Sequence, residues 1–273
     1  MFIVNTKKCI GCGECVRDCV YNDIEMLGEK AFIRNENCIS CGHCIAICPK
    51  NAVSTDEYDM NDVAEYNKRD FDIDEDNLLN FIKFRRTVRQ FKGTSVSDKK
   101  ILKIIEAGRF TQTASNLQEV SYIVVKEDNR ELLEMALESL KEKADLILAD
   151  KSQNDAQLKR FADLWINMYD EFQNEPNTSD RLFFNAPVVI VVTANTDING
   201  ALASSNMGLM THALGLGTIF SGFFVRAARS DKKILDFLGV KEGHKIVTCM
   251  AIGHPDVKYH RTVPRKKADI IWK

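Results

Sequence analysis

Nine cysteines stand in this 273-residue chain, and eight of them fall into two groups of identical spacing. The first group is Cys9, Cys12, Cys15 and Cys19, and the second is Cys38, Cys41, Cys44 and Cys48. One offset carries each member onto its counterpart: 9 to 38, 12 to 41, 15 to 44 and 19 to 48. A duplicated set of four thiols is the ligand set of two [4Fe–4S] clusters. A close triplet wraps its loop around a cubane, so that three thiolates reach three irons. The fourth cysteine is too far along the chain to close the same loop easily, and in two-cluster proteins it ligates the other cluster. On that basis Cys9, Cys12, Cys15 and Cys48 form one quartet, and Cys38, Cys41, Cys44 and Cys19 form the other.

Two other thiol chemistries fit less well. Disulfides need an oxidising compartment, and the opening residues Met1 to Lys8 lack an apolar signal core. Zinc uses pairs of Cys-x-x-Cys and leaves the third and fourth cysteines of each copy unexplained. The segment resembles the bacterial-type two-cluster ferredoxins, with Val20 after Cys19 where Pro49 follows Cys48. Clusters need reduced thiolates, which points to a cytoplasmic location in an organism that limits oxygen exposure. The ninth cysteine, Cys249, lies in an apolar run and reads as a packing thiol.

The surrounding elements follow from composition and period. The chain is long enough for two domains, and a formal net charge of −2 does not point to nucleic acid as a partner. A cluster domain over 1–55 starts with a strand at Phe2 to Val4 and has a second at Ala31 to Arg34. It is too small for an ordinary core, so metal ligation is expected to stabilise it. Residues 56–76 are crowded with acidic side chains and read as a linker, or as an acidic face for docking a redox partner. Beyond it, a domain over 77–273 opens with a helix from Asn77 bearing Leu78, Leu79, Phe81, Ile82 and Phe84. A second helix is capped by Ser97 or Asp98. A strand is expected over Val120 to Lys126, then amphipathic helices over Glu131 to Ala149 and Ala156 to Phe172, with Trp165 and Tyr169 in the core. The apolar run Pro187 to Thr193 predicts a strand covered on both faces. A buried helix over Asn199 to Leu214 ends at Gly215-x-Gly217, before a further loop or strand. A surface helix over Ser230 to Leu238 and an interior strand over Lys245 to Ile252 follow. Gly200 to Val225 has no charged residue and is long enough to span a bilayer, but its Ser, Asn, Thr, His and Gly content favours a buried helix and no membrane. The basic tail ends in Ile270, Ile271 and Trp272, which reads as an arm lying on a neighbouring subunit.

A second chemistry shows in three stretches of this larger domain. Arg85-Arg86-Thr87-Val88-Arg89 crowds three cations at a helix end. Thr113-Ala114-Ser115-Asn116-Leu117-Gln118 is a polar loop before a core strand. Leu216 to Phe224 is punctuated by glycines after a buried helix. Their order resembles the nitroreductase family of FMN enzymes, over roughly Asn77 to Lys273. The resemblance implies an α+β fold with a central mostly antiparallel sheet, and FMN bound at the interface of a homodimer. It implies that Arg85 and Thr87 contact the phosphate and ribityl groups, with Arg86 beside them, and that Arg89 lies near flavin N1 and O2. A fixed guanidinium fork suits a phosphate dianion, and a cation at N1 stabilises the anionic hydroquinone. Ser115, Asn116 and Gln118 match the polar loop beside the flavin. Ser221 and Gly222 match the segment whose backbone N–H groups approach N5 and O4. Arg265 and Lys267 match C-terminal basic residues that reach the phosphate. Glu119-Val120 replaces the Pro and aromatic of many members, and Ser221 replaces the Glu of some.

No Ser–His–Asp or paired-carboxylate constellation stands out, in keeping with chemistry carried by the flavin itself. The expected activity is an FMN oxidoreductase that reduces an organic acceptor such as a nitro compound or quinone. Its donor is NAD(P)H or a ferredoxin-like protein. Two alternatives remain: an enzyme that runs electrons outward through its clusters to a protein partner, and a redox-sensing protein with no dedicated small substrate.

Overall fold

The first residues set a pattern that the chain repeats. In the computed structural model, which describes residues 1–126 and 129–273, strand β1 (Phe2–Val4) leads into a cysteine loop, helix α1 (Glu14–Asp18) and strand β2 (Ile24–Leu27). Strand β3 (Lys30–Ile33), helix α2 (His43–Ala46) and strand β4 (Val53–Thr55) then repeat the order. The copies interlock, because β1 pairs antiparallel with β4 and β2 with β3. Each two-stranded sheet therefore joins one copy to the other. Both helices start from a glycine in the left-handed region, Gly13 at φ 73° and Gly42 at φ 73°. The loop before α1 also needs Gly11: at φ +71°, a Cβ there would lie 2.2 Å from the Glu29 carbonyl oxygen. Phe2, Ile24, Ala31, Ile33 and Val53 form a small apolar core with Cys15 and Cys44.

By contact density the chain divides into two compact units. The first is Met1–Asp74 with Ala114–Leu117, and the second is Glu75–Thr113 with Gln118–Lys273. The acidic stretch is not structureless, since it holds a short helix, α3 (Lys68–Phe71), capped by the Asn67 side chain on Asp70 N.

In the second unit, helices α4 (Glu75–Phe84) and α5 (Asp98–Arg109) precede strand β5 (Ser121–Lys126). Helices α6 (Arg130–Ala149) and α7 (Ala156–Asn174) follow, then strand β6 (Val188–Ala194) and helix α8 (Asp197–Ala213). Strand β7 (Gly217–Phe220), helices α9 (Gly222–Ala228) and α10 (Lys232–Leu238), and strand β8 (Lys245–Gly253) complete it. The sheet order is β5-β6-β8-β7, and every pairing is antiparallel. All seven residues of β6 are buried. Its alternate side chains enter different cores: Val189 and Val191 join the layer of α6, α7, α9 and α10, while Val188, Ile190 and Val192 join that of α5 and α8. A period-2 strand with both faces covered has to be apolar at every position. The fold class is thus the α+β arrangement expected from sequence.

Element bounds differ from expectation by a few residues, and six elements were not foreseen: β2, β4, α1, α2, α3 and α9. Helix α8 ends at Ala213, and the chain turns at Gly215 (φ +70°) into β7, so the uncharged run from Gly200 to Val225 is a helix, a strand and a second helix. Among the described residues no helix is long and apolar enough to cross a membrane. Cys249 is fully buried in β8, and burial pushes its thiol well above the ordinary range.

Candidate functional site

The eight repeated cysteines divide between two cavities in the way the crossing pattern requires. Cys9, Cys12, Cys15 and Cys48 line one, and Cys19, Cys38, Cys41 and Cys44 line the other. The crossing has a structural cause, since α1 and α2 each end just before a fourth cysteine and the interlocked sheets carry it to the opposite loop. The cavities enclose about 360 and 410 Å³ including the open space at their mouths, with apolar walls such as Ile10, Ala31 and Val53 in the first and Phe2, Ile24 and Ile33 in the second. The residue four past each fourth cysteine donates its amide to that sulfur: Asp23 N to Cys19 Sγ at 3.4 Å, and Ala52 N to Cys48 Sγ at 3.2 Å.

Burial pushes the Cys15 and Cys38 thiols up, and Cys44 up to about 12. Cys9 goes the other way, held down by the Ala31 and Gly11 amides, with Lys30 contributing. Buried thiols such as Cys15, Cys38 and Cys44 resist becoming thiolates by themselves, whereas iron neutralises them, so the donor set fits a cluster. Among the described residues no three His, Cys, Asp or Glu side chains are arranged to hold a single metal ion. A cubane does not ask for that, because each cysteine takes its own iron.

The second group of expected residues is brought together in part. Residues 85–89 lie along the sheet edge, where Thr87 bridges to Thr218 and Val88 N donates to Thr218 O at 3.0 Å. Close approach here requires Gly217, because a Cβ on it would lie 2.7 Å from Val88 Cβ and Cγ2. Three residues beyond Thr218, Ser221 N donates to Cys249 O at 2.8 Å, and the chain enters α9 at Gly222. The basic stretch therefore runs beside β7, whose C-terminal end leads into the Ser221-Gly222 turn. Arg86 closes the C-terminal end of α4, its Nη1 and Nη2 donating to Arg85 O at 3.0 Å and Lys83 O at 3.1 Å. Its Nε is shielded and has no acceptor, and neither has the Thr218 Oγ1. Arg89 is exposed. Arg85 lies near His212, whose ring packs on Phe81 at 4.7 Å. Orphaned donors beside exposed cations fit a polar, anionic cofactor.

The other expected residues are not seen to join them. Ser115, Asn116 and Gln118 all adopt positive φ, at 49°, 53° and 50°. Ser115 and Asn116 belong to the first unit, where Asn116 Nδ2 donates to Ile39 O at 3.1 Å and Ser40 O at 2.9 Å. Gln118 N instead donates to Thr113 Oγ1 at 2.9 Å. Arg265 and Lys267 are exposed in a tail with no regular structure, although Tyr259 OH, earlier in that tail, donates to Thr87 O at 3.2 Å. Sequence reading also passed over Asp23, which the repeat offset sets against Ala52.

Comparison with known proteins agrees with both halves of this picture. Residues 8–74 match the 4Fe-4S dicluster domain, and residues 82–254 match the Nitroreductase family. A putative NADH dehydrogenase/NAD(P)H nitroreductase of Archaeoglobus fulgidus is 23% identical over 187 residues, covering 65% of this chain and 84% of its own. A nitroreductase with bound FMN from Bacteroides fragilis matches with a TM-score of 0.51 at 21% identity, covering 73% of this chain and 100% of its own. A BluB-like flavoprotein from Clostridium difficile matches with a TM-score of 0.53 at 22% identity, covering 70% and 94%. The family match takes in β5 to β8, the basic stretch and the Ser221-Gly222 turn, more than half of the chain, and so places this protein in the nitroreductase family, with a 4Fe–4S dicluster domain ahead of it.

Proposed function

We propose that this protein is an FMN-dependent oxidoreductase that moves electrons between a donor, NAD(P)H or a ferredoxin-like protein, and an organic acceptor such as a nitro compound or quinone. Two [4Fe–4S] clusters and one FMN are its carriers. A nitro group takes two electrons and two protons to become a nitroso group and water, and a quinone takes two of each to become a hydroquinone. When bound, FMN exchanges electrons singly or in pairs, which lets a one-electron cluster chain serve a two-electron reaction. The observation that carries this reading is one chain holding both the nitroreductase-family region and eight duplicated cysteines whose quartets line separate cavities.

The protein's share of the work is binding and orientation. Cys9, Cys12, Cys15 and Cys48 hold one cluster, and Cys19, Cys38, Cys41 and Cys44 the other. Arg85 and Thr87 bind the phosphate end of FMN, with Arg265 and Lys267 reaching it from the tail. Arg89 supplies positive charge at the pyrimidine edge of the ring, and the Ser221-Gly222 turn faces the opposite edge with its Gly222 amide, since Cys249 O takes the Ser221 amide. Ser115, Asn116 and Gln118 line the neighbouring loop. We assign 1–55 to the cluster domain, 56–76 to a linker and 77–273 to the FMN domain, and place the protein in the cytoplasm as a homodimer. The dimer is supported by α4, none of whose residues is buried, and by Ile270, Ile271 and Trp272, which are exposed apolar side chains.

Anaerobic turnover of cluster-replete protein tests the function. Flavin reduction by NAD(P)H with nitroaromatic turnover supports a self-sufficient enzyme, and reduction only by reduced ferredoxin supports a partner-fed one. Cluster changes without turnover of either kind would overturn the enzymatic reading. The exposed acid run from Asp56 to Asp76 favours a second reading, in which electrons leave through the clusters to a basic protein partner. Reduction of such a partner at the expense of NAD(P)H would distinguish it.

A further inference from the structure

We propose that Asp23 separates the reduction potentials of the two clusters, holding the one on Cys19, Cys38, Cys41 and Cys44 below its twin. This rests on the reading that each quartet holds a four-iron cluster. The repeat makes the comparison internal. Asp23 and Ala52 are equivalent positions, both buried, and both donate a backbone amide to the fourth cysteine of their copy. Peptide dipoles at the two sulfurs are therefore matched, and the side chains are not. One is a methyl group. The other is an acid that is 1% exposed and lines the second cavity.

The Asp23 side chain is held in place rather than left to solvent. Its Oδ1 accepts from Glu36 N at 3.2 Å and Asn37 N at 3.0 Å, fixing the turn that delivers Cys38. Its Oδ2 is shielded and has no partner. Reducing a cluster adds negative charge, and a buried acid beside it opposes that addition most strongly where the surroundings are apolar. The first quartet has the opposite neighbour: Lys30 Nζ donates to Cys9 O at 2.6 Å. Other charges nearby count for less. Glu14 pairs with Arg17 at 2.5 Å, its equivalent His43 pairs with Asp18 at 3.1 Å, and exposed Glu57 pairs with the Met1 ammonium. Such solvent-facing groups are screened.

The test is an EPR-monitored potentiometric titration of the anaerobic holoprotein, with dithionite as reductant. Each SO2 radical anion gives one electron to a cluster and becomes SO2, with no proton transferred. Cys12→Ala and Cys41→Ala each retain one cluster and assign the two waves. In Asp23→Asn, where the amide oxygen still accepts from Glu36 and Asn37, the lower wave should rise. The expected rise is about tenfold in the reduced-to-oxidised ratio at fixed potential, about 59 mV for one electron, with the upper wave unmoved. Equal movement of both waves, movement of the upper alone, or no movement overturns the proposal. If Asp23→Asn loads less iron than the parent, Ala52→Asp decides: an acid at the equivalent position should bring the upper wave down towards the lower, and an unchanged separation overturns the proposal. A parent protein without two EPR-active clusters would instead refute the underlying cluster reading.

Discussion

Replacing Gly217 with alanine tests how the basic stretch is held to the sheet. The added Cβ would sit 2.7 Å from both Val88 Cβ and Cγ2, and 2.9 Å from Cγ1. Val88 is buried and β-branched, so it has few rotamers into which to retreat. Overpacking of this kind costs about 1–3 kcal/mol. If the segment stays attached, the cost falls on folding, and a melting temperature should drop by about 2–4 °C per kcal/mol. If it is relieved by breaking the Val88 N to Thr218 O bond, residues 85–89 leave the sheet, and the same energy appears as about 5- to 150-fold weaker FMN binding. Thermal melting and flavin titration together capture either route. Val88→Ala removes Cγ1 and Cγ2, two of the three atoms that the added Cβ would strike, and keeps the Cβ at 2.7 Å, so the double variant should be less impaired than the sum of the two singles by about 1 kcal/mol. Parental melting and parental flavin affinity in Gly217→Ala, or strict additivity with Val88→Ala, would refute the packing argument.

Three further outcomes are expected. Cys12→Ala should lose about half of the iron and sulfide yet keep FMN, by metal and flavin analysis, and loss of flavin as well would break the two-domain division. Asp180 is buried, and its carboxylate accepts from Leu182, Phe183 and Asn185 amides, so Asp180→Ala should cost about 3 kcal/mol in denaturant unfolding by leaving those donors unpaired. His212 is held below its ordinary 6.5 by burial and then by Arg85. The unfolded chain then binds the proton more readily than the fold, so stability should fall as pH drops through 6.5 towards the lowered value and be unaffected above it. His212→Gln should lose that slope in a chemical-denaturation series.

The features most legible in sequence were those with a strict period or spacing. Eight cysteines at one offset define two quartets whatever the local conformation, and the two cavities group them in the same way. The run at 188–194 was legible because a strand buried on both faces tolerates no polar interruption except Thr193, whose hydroxyl meets His244 Nδ1 at 3.3 Å. The strands β2 and β4 were missed because they are three or four residues long and owe their existence to partners in the opposite copy. Helix α9 follows β7 with only Ser221 between, and its apolar Phe223 and Phe224 read as a continuation of the strand. The helix from Asn77 has the expected apolar side, and Leu78, Leu79 and Ile82 on it are exposed in the single chain, since amphipathic period shows a face and not what covers it. The loop at 113–118 was legible as polar, but nothing in those residue types signals three left-handed conformations without glycine. Asp23 carried a signal that was available: laying one copy on the other puts an acid where the second copy has Ala52.

The most direct test of the whole account is analysis of anaerobically isolated protein for iron, acid-labile sulfide and flavin on one sample. The account requires iron and sulfide for two four-iron clusters and one FMN in each chain, with visible absorbance from both. Protein that folds and melts cooperatively but is colourless, with neither iron nor flavin after anaerobic reconstitution with both, would contradict it.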